Sequence, residues 1–292
     1  MAISATISKI IPFSCVDGPG NRLVIFMQGC NFNCVTCHNP HTINQCNHCG
    51  ICVDQCPTKA LSVKTNACLD KQVVWQSDLC VECDQCTKVC PHLSSPKVRR
   101  YQLEEILSLI RENQLFLTGI TVSGGEASLQ LPFIRALFNA LKNDAELKRL
   151  TCLLDTNGSL NEAAWLSILD DLDGAMIDLK AWQKEVHQRL TGKYNHRVIS
   201  SISLLANANK LAEVRLLCIP NVTDYEQHID ELANYLLSLK TPPLIRLNAF
   251  QHHGVIGEAL SWPSATRADL ERLAQQLIGK GLTKVQLPSV FY

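Results

Sequence analysis

The cysteines of this chain stand at spacings that bind iron-sulfur clusters. Eleven of the fifteen cysteines form three groups between residues 30 and 90. Two groups are complete C-x2-C-x2-C-x3-C-P runs, and in proteins with two such runs the fourth cysteine of each run binds the cluster of the other run. The sequence therefore predicts two 4Fe-4S clusters, one on Cys46, Cys49, Cys52 and Cys90 and one on Cys80, Cys83, Cys86 and Cys56. A pair of zinc sites is the alternative, but such sites favour two C-x2-C pairs separated by a longer loop.

The first cysteine group differs because it offers only three thiolates. Cys30, Cys34 and Cys37 are spaced C-x3-C-x2-C. A cubic cluster held by three thiolates keeps one iron open, and an open position makes a metal site catalytic rather than structural. We expect an external ligand on that iron. The alternative is that His38, directly after Cys37, fills the position and closes the cluster.

The segment 42–98 is predicted to be a separate small domain. Besides both complete cysteine runs it contains two apolar stretches, one at Val63 and one at Val73, Val74 and Trp75, which favour two short strands. Because this apolar core is thin, the clusters must supply much of the folding energy. We expect a ferredoxin-like α+β insert that is disordered without iron. Cys68 lies in the insert outside either run.

Beyond residue 98, short apolar runs typical of buried parallel strands alternate with stripes of helical period. The strand runs there are 116–122, 151–154, 175–179, 214–219, 244–250 and 285–290, and the run 23–27 near the start of the chain joins them. The helical stripes are Leu103, Ile106, Leu107 and Ile110; Phe133, Leu137 and Leu141; and Tyr225, Ile229, Leu232 and Leu236. This alternation predicts an α/β fold of repeated βα units, closed or partly closed into a barrel.

Polar residues gather at the ends of these strand runs, where the chemistry of such folds collects. After the Cys30 group they are Ser123, Gly124, Gly125 and Glu126; Asp155, Thr156, Asn157 and Gly158; Asp178 and Lys180; Arg215; and His252 and His253. They predict one pocket, in which the glycines admit a small zwitterion and Glu126 accepts a hydrogen bond from its ammonium group. Each residue taken alone also has a purely structural interpretation. Gly124 and Gly125 would then form a tight turn, Asp155 would cap a helix, and Asp178 and Lys180 would be an exposed pair on a strand.

Composition and charge exclude several classes of protein. Of the 292 residues 46% are apolar and 18% charged, so a large core is available and disorder is excluded. The 27 basic and 27 acidic side chains balance, which argues against a nucleic-acid partner. The apolar runs are far shorter than the roughly 20 residues that span a bilayer, and the first residues do not read as a secretory signal. We expect a cytoplasmic protein without a membrane partner.

Three motifs together resemble the radical S-adenosylmethionine (SAM) superfamily: the open CxxxCxxC group, the GGE of 124–126 and the DLK of 178–180. Further motifs resemble the glycyl-radical-enzyme activating enzymes: VDGPGNR at 16–22, QGC at 28–30, CHNP at 37–40, SGGEA at 123–127 and MIDLK at 176–180. The insert after CHNP is similar to that of the larger activating enzymes, the YjjW group among them. The resemblance covers essentially the whole chain. It implies a partial (β/α)6-type radical SAM barrel of residues 1–41 and 99–292, with the two-cluster ferredoxin-like domain 42–98 inserted.

The resemblance also implies roles for the motif residues. The amino and carboxylate groups of SAM would chelate the open iron, the GGE motif would hold the methionine ammonium, and Lys180 of the DLK motif, after Leu179, would reach the carboxylate. A monovalent cation beside that carboxylate is implied on Asp155, Thr156, Met176 and Asp178, and oxygen ligands suit a hard cation. Asp17 and Arg215 match positions near the adenosyl group and the incoming glycine loop.

Two positions depart from the family pattern. Thr36 stands before the third cluster cysteine, where the family has an aromatic residue that packs on adenine, so the adenine contact must be rearranged or weaker. Thr36 and His38 are still expected to bind the cofactor. The family histidine on the last catalytic strand would fall on Gln251. We expect His252, rather than His253, to take its role and contact SAM.

The implied reaction is reductive cleavage of SAM to methionine and a 5′-deoxyadenosyl radical, which removes a Cα hydrogen from a glycine of a partner protein. The implied partner is a YjjI-like glycyl-radical protein. The two insert clusters would relay electrons from a flavodoxin or ferredoxin; a docking or stability module is the alternative. Two other functions remain open from the residues: a radical SAM enzyme acting on a small molecule, and a ferredoxin-type electron carrier.

Overall fold

The computed structural model describes residues 3–65 and 70–288. The strands are β1 Ser4–Ser14, β2 Arg22–Met27, β3 Leu61–Thr65, β4 Lys71–Trp75, β5 Arg99–Gln102, β6 Gly119–Gly124, β7 Thr151–Thr156, β8 Gly174–Leu179, β9 Leu211–Cys218, β10 Leu244–Ala249 and β11 Val285–Gln286. The helices are α1 Gln85–Lys88, α2 Leu103–Asn113, α3 Leu131–Asn143, α4 Glu162–Leu166, α5 Lys184–Thr191, α6 His196–Asn207, α7 Ile229–Ser238 and α8 Arg267–Gly279. Cys68 and the end of the predicted strand 285–290 lie outside the described residues.

Nine strands form one sheet in the order β11-β10-β9-β8-β7-β6-β2-β1-β5. The strands from β2 to β11 in this order pair in parallel, and each from β2 to β10 is followed along the chain by at least one helix. The helices bury one face against the sheet, for example with Ile106 and Ile110 of α2 and Leu270 and Leu277 of α8. The prediction of an α/β fold with repeated βα units is confirmed.

The two antiparallel strands at one edge, β1 and β5, were not predicted. β1 pairs with β2 on one side and with β5 on the other. Its buried residues alternate, with Ala5 and Ile7 inward and their neighbours partly exposed. An edge strand with one covered face carries no continuous apolar run, which is why a search for buried parallel strands passes over it.

Two predicted boundaries are wrong by several residues. The run 116–122 becomes a strand only at Gly119, because residues Gln114–Phe116 form a 3-10 turn in which Phe116 is exposed. Tyr225 precedes α7 instead of belonging to it. Its ring is buried and its hydroxyl donates to the Leu179 carbonyl at 2.6 Å, so its apolar character serves a tertiary contact.

The cysteine-rich segment contains the two predicted short strands. β3 and β4 form an antiparallel pair in which Val63 faces Val73. The buried core beside them is small and consists of Cys52, Leu61, Val73 and Cys86. Among the described helices, none is long and apolar enough to cross a membrane.

Candidate active site

A cavity of about 520 Å³ lies where six parallel strands end, within the roughly 300–1,000 Å³ typical of cofactor sites. Its wall includes Cys30, Cys34, Thr36, Cys37 and His38 after β2; Gly124, Gly125 and Glu126 from β6; Asp155, Thr156 and Asn157 from β7; Asp178 and Lys180 from β8; Arg215 and Leu217 from β9; and Asn248, Ala249 and Gln251 from β10. Asp17, from the loop between β1 and β2, also lines it. The structure therefore brings most of the predicted site residues to one place.

The three-cysteine loop is held in place by backbone hydrogen bonds to residue 43 and to α5. The Cys30 amide donates to the Ile43 carbonyl at 2.9 Å, while Asn33 and Val35 donate to carbonyls at the carboxyl end of α5 at 2.9 and 3.0 Å. Burial raises the pKa of the Cys30 thiol to about 11 and that of the Cys34 thiol to about 12. Such thiols ionise only beside a cation or a metal, so this donor set fits an iron cluster.

His38 lines the same cavity but is engaged elsewhere. Its Nε2 lies 3.1 Å from the carbonyl oxygen of Gln251, so this nitrogen carries a proton and donates. Burial lowers the pKa of His38, which keeps the imidazole neutral. The contact with Gln251 fixes the tautomer with the proton on Nε2 and leaves the lone pair on Nδ1.

Two ion pairs form the wall between β7 and β9. Arg215 Nη1 donates to Asp155 Oδ1 at 2.8 Å, and Lys180 Nζ donates to Asp178 Oδ2 at 2.7 Å. Burial opposes the charge on Lys180, but the Asp178 carboxylate outweighs it and raises the Lys180 pKa. Burial raises the pKa of Asp155, against the pull of the Arg215 guanidinium. The side chains are 13–25% exposed, so neither pair is the exposed pair that was the alternative for Asp178 and Lys180.

The Glu126 carboxylate is almost saturated within the protein. Its Oε1 accepts from Thr156 Oγ1 at 2.7 Å and from the Ser128 amide at 3.0 Å, and its Oε2 accepts from the Asn157 amide at 2.7 Å. A carboxylate offers about four acceptor positions, so one remains for a ligand ammonium. Burial raises the pKa of Glu126 although these donors lower it.

The two glycines before Glu126 are needed for packing as well as for ligand approach. A Cβ on Gly125 would lie 2.4 Å from the Gly29 carbonyl oxygen and 2.7 Å from that of Thr42. A Cβ on Gly124, whose φ is +133°, would lie 2.3 Å from the Met27 backbone. Only glycine lets the end of β6 approach the cysteine loop this closely.

Three predicted site residues do not face the cavity. His252 is exposed, its Nε2 is hydrogen-bonded to the Trp262 carbonyl at 2.7 Å and its ring packs edge-on against Phe250, so the expectation that it contacts SAM is not supported. Leu179 and Met176 are buried in the core. The Met176 sulfur lies 3.1 Å from Arg215 Nη2, so it meets the guanidinium.

Asn157, one of the polar residues expected at the end of the strand run 151–154, lines the cavity. Two further residues of the wall, Asn248 and Gln251, were not predicted. Asn248 lies within the apolar strand run 244–250, where an amide side chain indicates a residue that faces a polar cavity. Gln251 lines the cavity, where the neighbouring His252 was expected.

A second, smaller cavity lies in the cysteine-rich segment. Its wall includes Cys46, Cys49, Cys52 and Cys90, with Gly50, Pro91 and Pro96. These are the four cysteines predicted to share one cluster, so the donor set fits that group. Within residues 3–65 and 70–288, no three His, Cys, Asp or Glu side chains converge tightly enough to hold a single metal ion.

The comparisons with known proteins agree with this geometry. The model of the radical SAM superfamily matches residues 24–236. The 4-hydroxyphenylacetate decarboxylase activating enzyme of Clostridioides difficile (strain CD196) is 27% identical over 86% of this chain and 83% of its own length. The isethionate sulfite-lyase activating enzyme of Desulfovibrio desulfuricans is 25% identical over 96% of both chains.

A solved structure supports the fold alone. QueE from Escherichia coli superposes with a TM-score of 0.54 at 12% identity, over 98% of this chain and 95% of that chain. The superfamily model spans more than half of the sequence, including every strand from β6 to β9. The chain therefore belongs to the radical SAM superfamily, as its motifs predicted.

Proposed function

We propose that this chain activates a partner glycyl-radical enzyme. When bound, the cluster and SAM would supply a 5′-deoxyadenosyl radical, which abstracts a Cα hydrogen from a glycine of the partner. The observation that supports this proposal most strongly is that a loop with three partly buried thiols faces a cavity walled by the GGE motif and the Asp178–Lys180 pair. Relatives of this chain over most of its length are activating enzymes of glycyl-radical enzymes.

The residues of the cavity have distinct proposed roles. Cys30, Cys34 and Cys37 would hold the cluster, and the iron without a thiolate would be available to SAM. The one free acceptor position of Glu126 receives the ammonium group, and Lys180, already charged beside Asp178, attracts the carboxylate. These roles are supported by the shared cavity wall.

Other residues of the cavity define the adenosyl end and the substrate side. Thr36 and His38 line the wall beside the cysteine loop and are proposed to contact the adenosyl group. Asp17 accepts from Ser14 Oγ at 2.5 Å and is proposed to face the glycine loop of the partner. Arg215 is proposed to lie between these two regions.

A monovalent cation on Asp155, Thr156, Met176 and Asp178 remains a proposal. In this structure Asp155 and Met176 contact Arg215, Thr156 donates to Glu126, and Asp178 accepts from Lys180. Binding of a cation would therefore require the Arg215 side chain to release Asp155. The cation would then replace the guanidinium as the charge partner of that carboxylate.

Residues 42–98 are proposed to be a ferredoxin-like domain, inserted between residues 1–41 and 99–292 of the barrel. Its two 4Fe-4S clusters would bring the total to three and relay electrons from a flavodoxin or ferredoxin. The proposed substrate is a YjjI-like glycyl-radical protein.

The proposed compartment is the cytoplasm, where free thiols persist. The fourteen described cysteines are all free.

The function is tested by anaerobic reconstitution with iron and sulfide. With SAM and dithionite the protein should release 5′-deoxyadenosine, and with the partner protein it should generate a glycyl radical visible by EPR. The matched control is the Cys34→Ala variant, which retains the insert cysteines but should release no 5′-deoxyadenosine. Release of 5′-deoxyadenosine without any glycyl radical would favour a small-molecule substrate, and no release at all would favour an electron carrier.

A further inference from the structure

The structure connects the two cysteine-rich regions through one short segment, residues 41–45, which we call the bridge. The amides of Gly29 and Cys30 donate to the carbonyls of Thr42 and Ile43 at 2.8 and 2.9 Å. The buried Gln28 side chain donates from Nε2 to two further bridge carbonyls, those of His41 and Asn44, at 2.9 and 2.7 Å. The start of the three-cysteine loop is thus fixed to the bridge by four hydrogen bonds.

The far side of the bridge is fixed to one cysteine group only. Asn44 Nδ2 donates to the His92 carbonyl at 3.0 Å, and the Asn44 amide lies 3.5 Å from the Leu93 carbonyl oxygen. His92 and Leu93 follow Cys90 within three residues, and Cys46 follows Ile43 at the same interval. Three residues span at most about 11 Å of backbone, so Cys46 and Cys90 are held close to the Cys30 loop.

The other cysteine group contacts the first group through a shared core, and Asp84 of its loop pairs with Lys97 near the end of the insert. Cys52 and Cys86, one from each predicted set, are both buried in the core shared with Leu61 and Val73. Burial raises the pKa of Cys52 to about 11, and the neighbouring Cys86 thiol adds to the shift. At the opposite end of its set, Cys83 is exposed.

We propose that Cys46, Cys49, Cys52 and Cys90 form the proximal relay site, and that Cys56, Cys80, Cys83 and Cys86 form the distal site where an external donor delivers electrons. This order rests on the proposed function. With clusters bound, one electron from a reduced flavodoxin or ferredoxin would pass through the distal site and the proximal site to the Cys30 site. Each cluster would return to its oxidised state as the electron moved on, so the donor alone would be oxidised until SAM is cleaved.

The exposed cysteines at the second position of each run allow a matched test. In the Cys83→Ala variant, the protein donor should no longer rapidly reduce either the proximal or the Cys30 cluster. In the Cys49→Ala variant, the donor should reduce the distal cluster as rapidly as in the wild type. The fast phase in the reduction of the Cys30 cluster should be absent. Freeze-quench EPR follows each reduced cluster, and the Cys30 signal is identified because SAM alters it.

Cys49 is also exposed, so direct delivery to the proximal site is the competing route. Unchanged reduction of the Cys30 cluster in Cys83→Ala, with about four of twelve irons lost, would overturn the proposed order. Asn44→Ala retains every cysteine and should slow only the step into the Cys30 cluster. Its control, Asn139→Ala, removes an exposed asparagine bonded to Asp171 on the helical side and should change nothing.

Dithionite separates this proposal from the proposed function. As a small reductant that reaches the Cys30 cluster directly, it should reduce that cluster equally in the wild type and all four variants. If the wild-type protein fails to cleave SAM with dithionite, the proposed function fails. If dithionite works in every variant but the protein donor reduces all of them at the wild-type rate, only the relay order fails.

Discussion

Arg215 of β9 reaches across β8 and donates from Nη1 to Oδ1 of Asp155 on β7 at 2.8 Å. The same guanidinium donates from Nε to Glu213 at 2.5 Å, and its Nη2 lies 3.1 Å from the Met176 sulfur on β8. Burial opposes its charge, but the two carboxylates outweigh burial and raise the Arg215 pKa. One side chain therefore ties three neighbouring strands together at the wall of the cavity.

Replacing Arg215 with Met should destabilise the fold. The change leaves the mostly buried Asp155 carboxylate without its cation, and breaking such a pair costs about 3–5 kcal/mol. The apparent Tm, measured by circular dichroism under anaerobic conditions, should fall by roughly 10 °C. Arg267→Met, in the exposed pair with Glu271, is the control and should leave the Tm almost unchanged. Equal Tm values for both variants would contradict a structural role for the Asp155 pair.

Stability should fall in mildly acidic solution because of His187. This side chain is fully buried, its Nδ1 is bonded to the Lys193 carbonyl at 2.7 Å, and burial lowers its pKa from 6.5. Below pH 6.5 the unfolded chain binds a proton that the folded chain excludes, so stability declines as the pH falls from 6.5 towards the lowered pKa. His187→Gln removes the titration, and its Tm should depend less on pH between 7.5 and 5.5. Parallel Tm curves for the two proteins would refute the prediction.

Adding one methyl group at Gly125 should disrupt the cysteine loop. The new Cβ of Gly125→Ala would lie 2.4 Å from the Gly29 carbonyl oxygen, which is backbone and cannot move aside. We expect loss of the Cys30 cluster, measured as a fall of about four irons per chain, and loss of 5′-deoxyadenosine release. Gly279→Ala is the control, since nothing lies within 4 Å of its Cβ position, and it should be neutral or slightly stabilising. Full iron content in Gly125→Ala would show that the loop can shift without cost.

Lys180 and His252 should differ in their effect on SAM binding. Lys180→Met removes a charge from the cavity wall and should weaken SAM binding by roughly tenfold or more, since hydrogen bonds to charged groups are worth about 1.5–3 kcal/mol. His252→Ala alters an exposed side chain outside the wall and should change affinity by no more than about twofold. Equilibrium dialysis with labelled SAM measures both. A large loss of SAM affinity in His252→Ala would show that His252 contributes to the binding site.

The sequence by itself determined the parts of this protein that depend on local spacing. The two cysteine runs and the CxxxCxxC group are recognisable because their members lie three or four residues apart, within one loop. The βα alternation is equally local, because one strand or helix shows its own period. Strand ends then indicated which polar residues meet, since parallel strands bring their carboxyl ends to one edge.

Only the tertiary structure decided how those residues use their hydrogen bonds. Glu126 accepts three hydrogen bonds, from two residues at the end of β7 and from one in the turn after β6. No spacing in the sequence predicts these contacts. Gln251 faces the cavity while its neighbour His252 turns to Trp262, a choice made by packing around Phe250. Contacts between residues distant in the chain have no local signature, because the free energy that selects them arises only when the whole sheet assembles.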